Sequence, residues 1–134
     1  MRVLIATDGS ESSYEAARQF IKLTHGARHQ ITALHVIPLL TIGRDTGYLE
    51  IEEGREGLAA LNTVKSIFGD VAIPVETELK QGIPASTILE TAQVGNFDLI
   101  VIGHRGRGGF REMLLGSVSK TIVHNAPCSV LIVR

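Results

Sequence analysis

Residues 98–125 have the sequence DLIVIGHRGRGGFREMLLGSVSKTIVHN, and this stretch decides the fold. A short aliphatic run over Asp98–Ile102 is followed by a connection rich in glycine and arginine, and then by a segment with helical spacing from Ser117 to Asn125. A continuous aliphatic run bounded by glycine is typical of a strand buried in a parallel sheet. The stretch therefore predicts a strand, a polar loop and a helix in succession.

The same succession recurs on both sides of this stretch. The other predicted strands are Val3–Thr7, Ile31–Ile37, Val75–Leu79 and Ser129–Val133. The other predicted helices are Glu11–Gly26 with Ser10 as N-cap, Tyr48–Phe68, and a short helix opened by Gly82-Ile83-Pro84 that ends near Gly95-Asn96. The alternation predicts an α/β fold, a three-layer sandwich with a five-stranded parallel sheet and helices on both faces.

Three further structural expectations follow from the same patterns. The polar connections follow the first and fourth strands, so we expect these strands to be neighbours at the switch point, which gives the order 3-2-1-4-5. The alternating third strand is expected at an edge. The inner stripe of the second helix is expected to comprise Leu58, Leu61, Val64, Lys65 and Phe68. Residues 39–46 have neither periodicity and are expected to form a mobile loop.

Composition restricts the class of protein. With 134 residues, 44% apolar residues and a net charge of −1, the chain suits one globular domain over residues 1–134. The near-neutral charge argues against nucleic acid or an anionic membrane as a partner. The apolar run Val3–Ala6 is too short for a signal peptide or a membrane span, so we expect a cytoplasmic protein. Cys128 is the single cysteine and is expected to fill a small apolar space.

The glycine-rich connection from Gly103 to Gly116 has the features of a phosphate-binding loop. Glycines 103 and 106 allow close approach of a ligand and positive φ. Gly116-Ser117 opens a helix whose first N–H groups favour an anion, and the hydroxyls of Ser117 and Ser119 can add hydrogen bonds. The connection lacks both the Walker pattern and the dinucleotide pattern. A surface turn with solvated arginines stays open as an alternative, with Ser117 then acting only as an N-cap.

The spacing Gly103-x2-Gly106-x9-Gly116-Ser117 resembles that of the ATP-binding universal stress proteins. The resemblance extends along nearly the whole chain, through VLIATDGSE, HVIP, GIPASTIL, DLIVIGHRGRGG and LLGSVSKTIVHNAPCSVLIV. It implies an adenine nucleotide alpha hydrolase-like, Rossmann-like fold and an ATP-binding regulatory module for stress response. It also implies a homodimer formed through the last strand, residues 129–133, and leaves room for an unidentified protein partner.

The resemblance also implies particular site residues. Asp8 is similar to the family's acid at the adenosine, where ribose hydroxyls are its expected partners, and Val36 to the apolar residue under the adenine. Family members often have proline where Ala6 stands and histidine where Arg105 stands. Asp8 acting only as a cap of the first helix stays open. The implied nucleotide-binding residues are Ala6, Thr7, Asp8, Val36, Ile102, Gly103, Arg105, Gly106, Gly116, Ser117, Val118 and Ser119.

No catalytic or metal-ligating constellation is apparent in the sequence. The five histidines are dispersed and show no zinc-ligand spacing with Cys128. Mg²⁺ is therefore expected to be held through the phosphates of ATP, ADP or AMP, and hydrolysis is expected to be weak at most. The alternatives are a slow ATPase or adenylating enzyme, although S-G-G-x-D-S is absent, a dimeric scaffold or chaperone-like module independent of nucleotide, and a flavodoxin-like FMN binder.

Overall fold

This computed structural model describes residues 1–39, 46–106 and 115–134, with the backbone alone for residues 46–51. Strands and helices alternate throughout. The strands are β1 (Arg2–Ala6), β2 (Gln30–Pro38), β3 (Val75–Gly82), β4 (Leu99–Gly103) and β5 (Ser129–Val133). The helices are α1 (Glu11–Leu23), α2 (Thr46–Gly69), α3 (Pro84–Val94) and α4 (Ser117–Asn125).

The strands form one parallel sheet in the order β3-β2-β1-β4-β5, which confirms the predicted order. Central β1 pairs with β2 on one side, where Val3 lies opposite Ile31, and with β4 on the other, where Val3 lies opposite Leu99. The strand order reverses between β1 and β4. Their carboxyl ends therefore meet at the position where sheets of this kind bind ligands.

Helices cover both faces of the sheet, as predicted. Val3 and Ile5 of β1 point into a core formed with α1 and α2, whereas Leu4 and Ala6 point into a second core formed with α3 and α4. Val3, Leu4 and Ile5 have no exposed surface, because strands covered on both faces have no solvent side. The sheet between these two cores is a rigid support for the loops at its carboxyl edge.

Helix α1 begins at its predicted cap. The Ser13 N–H donates to Ser10 Oγ at 3.2 Å, which satisfies one of the free amides at the helix start. The helix ends at Leu23, three residues before the predicted Gly26. Gly26 closes the following turn with φ of 69° and donates its N–H to Ile21 O at 2.9 Å. Strand β3 lies at the sheet edge, as predicted, and continues to Gly82.

The predicted inner stripe of α2 is wrong at two positions. Leu58 is 53% exposed, and Lys65 is also exposed. The buried residues instead recur every three or four positions along one face of the helix. They are Gly57, Ala60, Leu61, Val64 and Phe68. Gly57 faces the sheet so closely that an added Cβ would lie 2.6 Å from His35 Cδ2, and this contact sets the rotation of the helix.

The predicted loop over residues 39–46 lies largely outside the described residues. Of its two ends, Leu39 donates its N–H to Gly82 O at 3.1 Å, and Thr46 already belongs to α2. Among the helices in the described ranges, none combines the length and the apolarity that crossing a bilayer requires.

The two leucines of α2 give a direct test of this rotation. We expect Leu61→Ala to reduce the free energy of unfolding by about 2–5 kcal/mol, because it empties a buried site. We expect Leu58→Ala to change it by less than about 0.5 kcal/mol, because Leu58 lies on the solvent side. Urea unfolding of both variants measures the difference, and a larger loss for Leu58→Ala would contradict the helix orientation.

Candidate functional site

The connection after β1 is held in place by buried polar groups. Thr7, only 4% exposed, donates its N–H to Leu34 O at 2.9 Å and pairs its hydroxyl with Ser13 Oγ at 2.7 Å. The Gly9 N–H donates to Thr7 Oγ1 at 3.2 Å. These contacts fix the turn that carries the next polar side chain, Asp8, to the carboxyl edge of the sheet.

His35 supports this turn from β2. Its side chain is buried, and its Nδ1 lies 2.9 Å from the carbonyl oxygen of Thr7. Because a carbonyl oxygen only accepts, Nδ1 carries the proton in this contact. Nε2 is buried and has no hydrogen-bond partner among the described residues. No pattern in the sequence predicts this role of His35, because its contact with Thr7 depends on how β1 and β2 lie side by side.

Asp8 connects the two loops at the edge of the sheet. Its Oδ1 accepts the Ser10 N–H at 2.9 Å, whereas the N-cap of α1 is Ser10 itself. Its Oδ2 faces the other loop, because a Cβ added at Gly106 would lie 2.7 Å from that oxygen. A carboxylate is thus placed where the connections after β1 and β4 meet.

The three glycines of the loop pattern have different structural roles. A Cβ at Gly103 would lie 2.8 Å from backbone atoms of Ser12, so Gly103 permits α1 to pack against the end of β4. Gly106 leaves room for the Asp8 carboxylate. A Cβ at Gly116 would meet Gly106 N at 3.6 Å, an ordinary contact. The packing of the described residues therefore requires a glycine at 103, where the obstacle is backbone, whereas a side chain at 106 would displace the Asp8 carboxylate and one at 116 would make ordinary contacts.

Gly103 and Gly106 do not adopt the positive φ that a glycine allows. Among the described glycines, positive φ occurs at Gly9 and Gly26. Gly103 is still in β4, whose extended backbone suits any residue, and it is the close approach of α1 that excludes a side chain there. Spacing identified these positions correctly as special, but the reason is steric rather than conformational.

Helix α4 begins with Gly116, not Ser117, as its N-cap. Gly116 has φ of −70° and donates its own N–H to His104 O at 2.8 Å, and, having no side chain, it gives the helix no side-chain cap of its own. The Ser119 hydroxyl is buried and donates to Gly103 O at 2.9 Å. The helix start therefore places its first amides and the exposed residue Ser117 at this edge, while the Ser119 hydroxyl bonds α4 to the end of β4.

The remaining predicted residues lie around this edge. Ala6, Val36 and Ile102 are buried together in the core between the sheet and α3 and α4. Arg105 is half-buried, and Val118 is 36% exposed on the first turn of α4. The structure thus brings Asp8, the loop glycines and the start of α4 together, and it places the three apolar residues beneath them.

Other parts of the described chain show no comparable arrangement. No group of three or more histidine, cysteine, aspartate or glutamate side chains in the described ranges could hold a metal ion. Burial and nearby Asp98 raise the pKa of the Cys128 thiol, which makes it a poor nucleophile. An open depression of about 440 Å³ lies at the opposite, amino-terminal edge of the sheet and is lined by Met1, Arg2, Arg28, His29, Gln30 and Asp98.

The strand order, with helices on both faces of the sheet, defines a doubly wound α/β protein, a class in which ligands bind at the carboxyl ends of the strands. Within that class, the chain belongs to the universal stress protein family, which its sequence matches over residues 1–134. It is 34% identical to universal stress protein MJ0531 of Methanocaldococcus jannaschii, over 99% of this chain and 81% of that protein. It is 33% identical to universal stress protein YxiE of Bacillus subtilis, over 99% and 98%.

Solved structures of the family share this architecture, the adenine nucleotide alpha hydrolase-like fold. Universal stress protein UspA from Lactobacillus plantarum superposes with a TM-score of 0.88 at 25% identity, covering 100% of this chain and 97% of its own. A universal stress protein in complex with cAMP has a TM-score of 0.77 at 23% identity, with 100% and 97% coverage. An Arabidopsis thaliana family protein with AMP bound has a TM-score of 0.74 at 18% identity, with 99% and 90% coverage.

The different surroundings of the loop glycines can be tested by stability measurements without any ligand. We expect Gly103→Ala to lower the free energy of unfolding by about 3 kcal/mol, because the atoms in the way are backbone atoms of Ser12. We expect Gly116→Ala to lower it by about 1 kcal/mol or less, the usual difference at an N-cap. Equal losses in chemical unfolding would show that the α1–β4 contact is not as close as described.

Proposed function

We propose that this chain binds an adenine nucleotide, ATP in particular, at the carboxyl ends of β1 and β4, and that it is a nucleotide-responsive regulatory module of the stress response. One observation carries the proposal. The Asp8 carboxylate lies against Gly106, and Gly106 lies against Gly116, the N-cap of α4. A group for the sugar and a group for the phosphates are therefore adjacent.

The phosphates are assigned to the start of α4. The Gly116 N–H is already bonded to His104, so the amides of Ser117, Val118 and Ser119 are the donors for an anion. The positive end of the helix dipole and the half-buried Arg105 favour the same charge. Gly116 keeps this approach open, which explains a glycine that its contacts with the described residues do not require.

The adenosine is assigned to the other half of the site. Asp8 can accept hydrogen bonds from ribose hydroxyls while Oδ1 keeps the Ser10 N–H. Ala6, Val36 and Ile102 form the apolar floor for the base, with Thr7 and Gly103 at its margins. The cAMP and AMP bound to two proteins of the same fold support an adenine nucleotide over other phosphate ligands, FMN included.

The chemistry of the site favours binding over turnover. Mg²⁺ would be held by the phosphates, with water completing its coordination. The ring nitrogen Nδ1 of His104 lies closer to the Val133 carbonyl oxygen, at 3.1 Å, than to the Ser12 hydroxyl, at 3.5 Å, so the ring is not placed as a base for that hydroxyl. We therefore propose weak ATP hydrolysis at most, in a protein of one domain that works in the cytoplasm.

A homodimer is proposed through the edge strand β5. Val130, Leu131 and Ile132 are partly exposed along this aliphatic edge, and unpaired strand edges favour association. A second function, a dimeric scaffold that uses no nucleotide, is favoured by one observation. The Gly116 amide is already satisfied by His104 O, as it would be in a loop with no ligand to bind.

Calorimetry with ATP distinguishes the two functions. We expect saturable binding to the natural chain and none to Gly116→Val, because the valine side chain would cover the first amides of α4. Gly69→Val is the matched control, since Gly69 has open space and lies at the far end of α2. At ATP concentrations about a hundredfold above Kd, the natural chain should gain about 2.7 kcal/mol in stability.

The control variant decides how the result is interpreted. Binding that persists in Gly116→Val removes the phosphate assignment, and absence of binding in the natural chain leaves the scaffold function. Equal losses in both variants would indicate a folding defect, which the unfolding curves reveal. ADP release above a control without protein, lost in Gly116→Val, would support the slow ATPase.

The proposed dimer is tested by size-exclusion chromatography with light scattering. We expect twice the mass of one chain at micromolar concentration, because β5 offers its unpaired edge to an identical strand. A mass equal to one chain at that concentration would contradict pairing through residues 129–133.

A further inference from the structure

His104 connects the glycine-rich loop with three elements. Its N–H donates to Val133 O at 3.0 Å, and its ring Nδ1 lies 3.1 Å from the same oxygen. Its carbonyl oxygen accepts the Gly116 N–H at 2.8 Å. Nδ1 also lies 3.5 Å from Ser12 Oγ in α1. One residue thus touches the end of β5, the cap of α4 and the first turn of α1.

The partner of the ring determines its tautomer. Val133 O is a carbonyl oxygen and can only accept, so Nδ1 carries the hydrogen. The 3.5 Å separation from Ser12 Oγ is at the limit of a hydrogen bond, and the bond to Val133 is the principal one. In the neutral ring the lone pair is therefore on Nε2, and protonation of Nε2 would leave the bond to Val133 intact.

The bond between His104 Nδ1 and Val133 O lies where the chain leaves the sheet. Gly103 opposite Val133 is the last pair of the β4–β5 ladder, so the chain leaves the sheet immediately afterwards. The ring of His104 adds a second attachment to Val133 just before Arg105 and Gly106. A second bond, from the Ser119 hydroxyl of α4 to Gly103 O, joins α4 to the same end of β4. The loop is therefore fixed at its root before it reaches the phosphate-binding amides.

We propose that His104 is a positioning residue of the nucleotide site, which acts through its Nδ1–H bond to Val133 O and not through a charge on the phosphates. The inference rests on the proposed nucleotide binding and gives a role to His104, which is not among the nucleotide-binding residues that the resemblance implies. Loss of the bond would let the Arg105–Gly106 turn and the α4 cap shift relative to Asp8.

The tautomer can be measured without nucleotide. We expect ¹⁵N NMR of the histidine side chains at neutral to mildly alkaline pH to show His104 with a protonated Nδ1 and an unprotonated Nε2. His104→Ala assigns the signal. The opposite tautomer would overturn the proposal, whether or not the chain binds nucleotide.

Three variants then separate positioning from direct contact. Asparagine places an amide N–H close to the position of Nδ1, whereas glutamine places it close to Nε2. We expect His104→Ala and His104→Gln to weaken ATP binding roughly threefold to tenfold, the usual effect of one hydrogen bond. We expect His104→Asn to bind ATP within about twofold of the natural chain, because the bond to Val133 O is retained.

The outcomes separate this inference from the proposed function. If the natural chain binds ATP and His104→Ala binds it equally well, the positioning role is wrong and the nucleotide site stands. If His104→Asn loses as much affinity as His104→Ala while its unfolding curve is unchanged, Nε2 or its charge matters and the proposal is overturned. If the natural chain does not bind ATP, the site and its positioning residue fail together.

Discussion

The parallel pairing of β1 with β4 is the constraint on which the rest of this structure depends. Val3, Leu4 and Ile5 lie opposite three aliphatic residues of β4 and have no exposed surface. Because the two strands run in the same direction and the strand order reverses between them, their following connections leave at the same edge of the sheet. Asp8 and Gly106 meet there although they are distant in sequence.

Close packing then determines which positions at this edge have room for a side chain. Ser12 of α1 occupies the space beside Gly103, and the Asp8 carboxylate occupies the space beside Gly106. Interiors packed to this density leave no room for even one methyl group without movement of a neighbour. Gly103 is thus part of the scaffold, Gly106 leaves the Asp8 carboxylate in its place, and the absence of a side chain at Gly116 is explained by the proposed ligand.

Buried hydrogen bonds stabilise the carboxyl edge of the sheet. His35 bonds the Thr7 carbonyl, Thr7 pairs with Ser13, and Ser119 bonds the Gly103 carbonyl. Buried polar groups are nearly always paired in this way, because an unpaired group is costly to bury. In the universal stress protein fold of this chain, these bonds hold the described ends of the two connections at fixed positions relative to each other, as the proposed nucleotide site would require.

By itself, the sequence determined the strands and helices, their parallel order, the Ser10 cap and the family, because hydrophobic periodicity and motif spacing are local properties of the chain. It located the candidate site at one edge, and the assignment of its ligand stays a prediction. The tertiary structure alone decided that Leu58 faces solvent, that Gly116 rather than Ser117 caps α4, and that His104 reaches Val133. These features depend on distances between elements far apart in the sequence, and no local pattern specifies such distances.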